Sequence, residues 1–188
     1  MKLWLWNGML MVALALLALT GVARAQSTDN DGCSNATLRG DYGLTVHGEF
    51  LGLTTPMGPQ YLPSPVPIDG VAMANFDGKG NFTQVSVSVL SGVVAPGPTD
   101  PETGFGTNQS GSYTVFPDCT GNFELSLPLA FLSGKFVLAK EGREIHAVIE
   151  QEHVLEGILN CNSSGGCDTL PQYRADGSKL RSDGKQDD

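Results

Sequence analysis

The sequence predicts an all-β protein: an eight-stranded antiparallel up-and-down barrel, with a two-sheet β-sandwich as the alternative. Three observations carry this. Short runs alternate apolar and polar residues with a period of two, the pattern of strands with one wet and one buried face. Turn-forming clusters join them, among them Asp77-Gly78-Lys79-Gly80, Pro117-Asp118-Cys119-Thr120-Gly121 and Lys140-Glu141-Gly142-Arg143. Eight such strands, joined mostly by tight hairpins, follow one another along the chain. Closure into a barrel removes the sheet edges, and eight strands leave an interior that side chains fill or that holds one small ligand.

Residues 1–25 read as an export signal. Lys2 provides a minimal positive start, Met9 to Thr20 is almost unbroken apolar sequence, and Ala23-Arg24-Ala25 forms a cleavage site before Gln26. The apolar run is short for a membrane span, and an uncleaved anchor is the lesser alternative. The protein is therefore expected to be exported, periplasmic or extracellular, with no stable membrane span. Losing the leader removes Lys2 and Arg24 but no acid, so nine basic residues face twenty acidic ones, a net charge of about −11. A surface of that sign repels phosphate backbones, which excludes nucleic acid as a partner. Residues 26–161 are expected to form one domain large enough for a substantial core.

Strand one is predicted from Tyr42 to Leu51, where Tyr42, Leu44, Val46, Gly48 and Phe50 share a face. Five prolines (Pro56, Pro59, Pro63, Pro65 and Pro67) in residues 52–67 predict a long loop or rim. Strands two and three run from about Ile68 to Phe76 and from Asn81 to Leu90. A four-residue turn between them puts Ala72 and Phe76 on one face with Val85. Asp77 and Asn81 hint at a calcium loop, but the run of oxygen ligands is missing, and a plain turn is the better reading. A Gly/Pro/Thr-rich loop covers Ser91 to Gln109.

Strands four and five form the hairpin Gly111–Leu127, with Tyr113 and Val115 on one arm and Phe123, Leu125 and Leu127 on the other. Strand six spans Phe131 to Ala139 and places Phe136 inward. Strand seven runs from Glu144 to Glu150, a tight turn falls at Gln151-Glu152, and strand eight covers His153 to Cys161. Residues 162–188 read as a cysteine-closed loop followed by a disordered polar tail in which Tyr173 is incidental.

Four cysteines in an exported chain favour two disulfides over metal ligation, since no CxxC or His pair accompanies them. Three pairings are possible. The favoured set joins Cys33 to Cys119, tying the N-terminal segment to the hairpin tip, and Cys161 to Cys167.

Three blocks carry a resemblance: Cys33-x-Asn35-x-Thr37-Leu38-x-Gly40-x-Tyr42-x-Leu44, then Phe76-Asp77-Gly78-x-Gly80-x-Phe82, then Gly111-x-Tyr113-x-Val115-x-x-Asp118-Cys119-Thr120-Gly121. Together they resemble exported bacterial proteins of the allene-oxide-cyclase-like barrel group, which share the shape of lipocalins. The resemblance spans about residues 33–160 and implies an eight-stranded barrel with a cavity. It implies no settled activity: the plant cyclases act on a fatty-acid epoxide, and related bacterial barrels close rings in natural products. No catalytic residue carries over to this chain.

The expected cavity lining is Tyr42, Leu44, Phe50, Ala72, Phe76, Val85, Tyr113, Phe123, Phe136 and Ile149, a surface suited to a small apolar ligand. The best candidate for chemistry is Glu156. Across a turn at Gln151-Glu152 it would share a face with Ile145, Ala147, Ile149, Val154 and Ile158, where burial raises a carboxyl pKa. A register slip of one residue would turn it outward. His146, Glu150 and His153 on the opposite face suit a metal or, equally, solvent. No serine-hydrolase elbow or phosphate-binding glycine pattern occurs, and no cofactor is expected. Sequons at Asn35, Asn81, Asn108 and Asn162 matter only in a glycosylating host. The leading reading is a ligand-binding barrel. Alternatives are an isomerase or cyclase on a lipid-like or polyketide-like substrate, and a structural protein with a filled barrel.

Overall fold

Alternating side chains and tight turns produce a hydrogen-bonded ring of strands in the computed structural model, which describes residues 32–155, 157, 161 and 164–180. The leader expected over residues 1–25 and the candidate Glu156 lie outside the described residues. The strands are β1 (Arg39–Thr55), β2 (Gly58–Asp77), β3 (Asn81–Leu90), β4 (Val93–Val94), β5 (Gly106–Val115), β6 (Thr120–Leu127), β7 (Ala130–Ala139), β8 (Glu144–Val154) and β9 (Cys167–Lys179). All pairings are antiparallel, in the order β2-β1-β9-β8-β7-β6-β5-β3, and a further β2–β3 ladder closes the circle. The two-residue β4 hangs on the end of β3 outside the ring. The expected eight-stranded barrel is present, but its wall is made differently in three places.

The segment expected to be a disordered tail is the closing strand. Residues 167–179 pair with β1 from Tyr42↔Lys179 to Thr54↔Asp168 and with β8 from Glu144↔Ser178 to Val154↔Cys167. Its inward set is Thr169, Pro171, Tyr173, Ala175 and Gly177, one large side chain among small ones. The alternation is therefore present while its hydrophobic amplitude is low. Strand eight was expected at His153–Cys161. That place in the wall belongs to β9, and β8 runs without a turn through Gln151 and Glu152 to Val154.

The proline-rich residues 52–67 extend the β1–β2 hairpin and do not form a loop. β1 continues to Thr55 and turns at Pro56-Met57, where the Thr55 hydroxyl donates to the Gly58 carbonyl at 2.9 Å. Over residues 59–67 β2 is paired with β1 alone, because its ladder with β3 begins at Ile68. Proline lacks an N–H and is accepted where one strand edge is unpaired.

The β2–β3 connection is one residue shorter than expected, and this reverses the face of Val85. Phe76 pairs with Phe82 and Met73 with Val85, so Phe82, Gln84, Ser86, Ser88 and Leu90 point inward while Val85 lies outside beside the half-exposed Met73. The turn is held by Asp77. Its carboxylate accepts the Lys79 N–H at 2.6 Å and the Asn81 N–H at 3.0 Å, and these bonds with that from the Asn81 side chain lower its pKa to about 2. The oxygens considered for calcium thus serve the turn.

Large inward side chains repeatedly sit opposite an inward glycine: Phe82 faces Gly111, Phe136 faces Gly121, Phe123 faces Gly134, and Tyr173 faces Gly48. A Cβ on Gly121 would come within 2.2 Å of the Phe136 ring. Ring over glycine keeps the strongly curved sheet filled without strain.

One end of the barrel is sealed. A single 3-10 turn, Asn35–Thr37, lies under Tyr42, Phe76, Phe82 and Tyr113, whose rings cluster with centroids 5.1–6.5 Å apart. The Tyr113 hydroxyl donates to the Leu38 carbonyl at 2.8 Å, and that of Tyr42 donates to the Gly142 carbonyl. The Cys33–Cys119 disulfide pins this plug to the β5–β6 turn, as the favoured pairing expects.

Candidate functional site

Above the plug the barrel encloses a cavity of about 230 Å³. Leu44, Val46, Phe50 and Ala72 line it from β1 and β2; Phe123, Leu125 and Leu132 line it from β6 and β7. Phe76, Tyr113, Phe136 and Ile149, also expected as lining, border it too. Two expectations fall elsewhere. Tyr42 is completely buried in the plug beneath the cavity, and Val85 points to the outside. The end away from the plug is framed by residues 94–99 and the β6–β7 turn at Pro128-Leu129.

The Cys161–Cys167 disulfide forms as expected, and Cys161 packs with Ala130 and Val154 at this framed end.

Glu152, a residue expected to lie in a turn, turns its carboxylate to the cavity. Between Ile149 and Gln151 the β7–β8 register slips, with Gly134 opposite Ile149 and Ser133 opposite Gln151. This bulge at Glu150 changes the parity of β8, so Ile145, Ala147 and Ile149 are followed on the inside by Glu152 and Val154. Glu152 is 7 % exposed. The Thr169 hydroxyl donates to its Oε2 at 3.0 Å, and the Tyr173 hydroxyl is its second polar neighbour. Burial raises its pKa to about 7, against the two partners, which favour the charged form. Tyr173, buried beside that carboxyl, is held well above its ordinary value by desolvation and by the Glu152 charge. The ladder between β8 and β9 is interrupted here, running from Val148↔Arg174 directly to His153↔Asp168, so Glu152 and Thr169 flank a break in the wall.

A second polar group lies on β3 and β5. Gln109, 7 % exposed, accepts through Oε1 from Gln84 Nε2 and from the Ser86 hydroxyl, both at 2.9 Å. Gln84, Ser86 and Gln109 all border the cavity.

No protein family, no curated protein and no solved structure matches this chain. Among the described residues no helix is long and apolar enough to cross a membrane.

The outer-face residues considered as metal ligands have separate partners. His146 meets Asp176 at 2.8 Å, Glu150 pairs with Lys135 at 3.0 Å, and His153 meets Asp168 at 2.8 Å. His47 likewise meets Asp69 at 2.6 Å. In each His–Asp couple the two residues stand directly opposite on neighbouring strands.

Sequence reasoning missed Glu152, Thr169, Tyr173, Gln84 and Gln109. The signal for Tyr173 was its period-two set with Thr169, Ala175 and Gly177. For Glu152 no periodic signal exists, because the bulge interrupts the period.

Proposed function

We propose that the protein is exported and binds a small, mostly apolar molecule inside its barrel. The observation that carries this is an apolar cavity above a sealed plug in a disulfide-tied ring. A cavity of 150 Å³ holds benzene, so about 230 Å³ suits a ring or short chain of roughly nine or ten non-hydrogen atoms. The leader-like residues 1–25 and the two disulfides support export. Native mass spectrometry of protein from its own host should reveal a small co-purified molecule that is lost in Ala72→Phe, where a ring fills the cavity. Folded protein that never carries or takes up such a molecule refutes the binding reading. N-terminal sequencing beginning at Gln26 is the expected result for export, and a retained Met1 counts against it.

Glu152 favours a second reading, an isomerase or cyclase of the kind implied by the resemblance to allene-oxide-cyclase-like barrels. A carboxyl with a pKa of about 7 in an apolar cavity exchanges a proton near neutral pH, as general acids and bases do. Here Thr169 and Tyr173 hold the carboxyl in place. If Glu152→Gln turns over the co-purified molecule at the wild-type rate, this role is excluded.

A further inference from the structure

The two polar groups in the cavity lie on opposite walls. From β8 the ring reaches β3 in four steps in either direction, through β7, β6 and β5 or through β9, β1 and β2; β9 and β5 stand in the same relation. Glu152, Thr169 and Tyr173 therefore face Gln84, Ser86 and Gln109 across the barrel. The walls between them are apolar, with Leu44, Phe50 and Ala72 on one side and Phe123, Leu125 and Leu132 on the other.

We propose that the ligand has an apolar middle and a hydrogen-bonding group at each end, one end met by Glu152 and the other by the Gln84–Gln109 pair. This rests on the cavity-binding reading and deepens it by naming the ligand class. The bonding inventory supports it. Gln109 Oε1 already accepts two hydrogen bonds, so what the pair has left to offer is the Gln109 amide N–H₂, the second Gln84 N–H and the Gln84 carbonyl. Glu152 in its neutral form has an O–H to give beyond the bond it accepts from Thr169. A wholly apolar guest would keep water from the donors and acceptors these groups do not already spend on one another, which a site built on hydrogen bonds rejects. A guest polar at one end only would satisfy one wall and strip the other.

The test uses three probes of matched body: toluene, benzyl alcohol and 1,4-benzenedimethanol. They are titrated calorimetrically at pH 6 into the full disulfide-bonded chain. The diol is expected to bind at least tenfold more tightly than toluene, with benzyl alcohol between them. Glu152→Leu and Gln109→Leu should each bring the diol to within threefold of benzyl alcohol while moving toluene less than twofold. Glu152→Gln, which still donates, should retain the diol's advantage. Near-ultraviolet circular dichroism checks each fold, and Gln84→Leu replaces Gln109→Leu if the latter does not fold. Toluene binding as tightly as the diol, or a diol indifferent to the leucine variants, overturns the two-ended ligand while leaving the cavity reading intact. Failure of all three probes to bind overturns both.

Discussion

The Thr169 hydroxyl donates to Glu152 Oε2 at 3.0 Å, linking the strand that closes the barrel to the acidic group inside it. The bond does not offset burial: the carboxyl titrates near 7 instead of its ordinary 4.5. Ionisation is thus resisted in the folded state. The stability tied to the neutral form is full below pH 4.5 and is lost as pH rises through about 7. In urea unfolding from pH 4 to pH 8, wild type should lose stability relative to Glu152→Gln by roughly 3 kcal/mol. A difference that stays flat with pH contradicts the burial of an ionisable carboxyl.

His153 makes a bond with each ring nitrogen, Nδ1 to Asp168 at 2.8 Å and Nε2 to the Gly165 carbonyl at 2.9 Å. Both partners accept, so only the doubly protonated ring satisfies both, and its pKa is raised, first by Asp168 and then by Gly165. The contribution is complete below the ordinary value of 6.5 and fades as pH rises through the folded one. Asp168→Asn should move the NMR titration midpoint of this ring downward. Amide exchange around Gly165 and Gly166 should accelerate in wild type above that midpoint; exchange with no such step would contradict the clamp.

The two disulfides enclose very different loops, with sequence separations of 86 and 6. On the chain-entropy account they contribute about 4–5 and about 2 kcal/mol. Paired alanine replacement at Cys33 and Cys119 should lower the denaturant midpoint clearly more than replacement at Cys161 and Cys167. The reverse order would show that the plug holds without its covalent tie.

Ending the chain before Cys167 removes β9 and exposes one edge each of β1 and β8. Such a chain should lose cooperative unfolding and aggregate through its bare edges. A soluble, cooperatively folded truncation would reinstate the expectation of a dispensable tail.

Gly134 is opposed by the Phe123 ring, and a Cβ there would come within 2.1 Å of the Val148 carbonyl oxygen. Gly134→Ala should cost about 3 kcal/mol, at the upper end of overpacking effects. Midpoints equal to wild type would mean that the β8 backbone at Val148, and not only the ring, yields easily.

Much of the barrel was legible where amplitude and turn chemistry agreed. The hairpins around Asp77-Gly78, Asp118-Cys119 and Glu141-Gly142 pair large inward apolar residues with turn formers, and of three possible disulfide pairings the favoured one is present. Residues 167–179 were illegible because Thr169, Ala175 and Gly177 make a period of two without a hydrophobic signal; their burial comes from β1 and β8 on either side. The proline arm was misread because tolerance of Pro59, Pro63 and Pro65 depends on which edge of β2 is unpaired, a tertiary fact. Glu152 was illegible for a related reason. One bulge at Glu150 moves Glu152 inward, and such a parity change leaves no trace in a periodic pattern.

The β1–β9 seam has a consequence for how the molecule is made. β1 can pair with β2 early, but its other edge must wait for β9, since the Tyr42–Lys179 pair forms only when residue 179 has emerged. Until then the nascent sheet cannot close, and two strand edges stay available to chaperones or to one another. Closure of the ring thus waits for β9, and whatever holds β9 back keeps the barrel open along that seam.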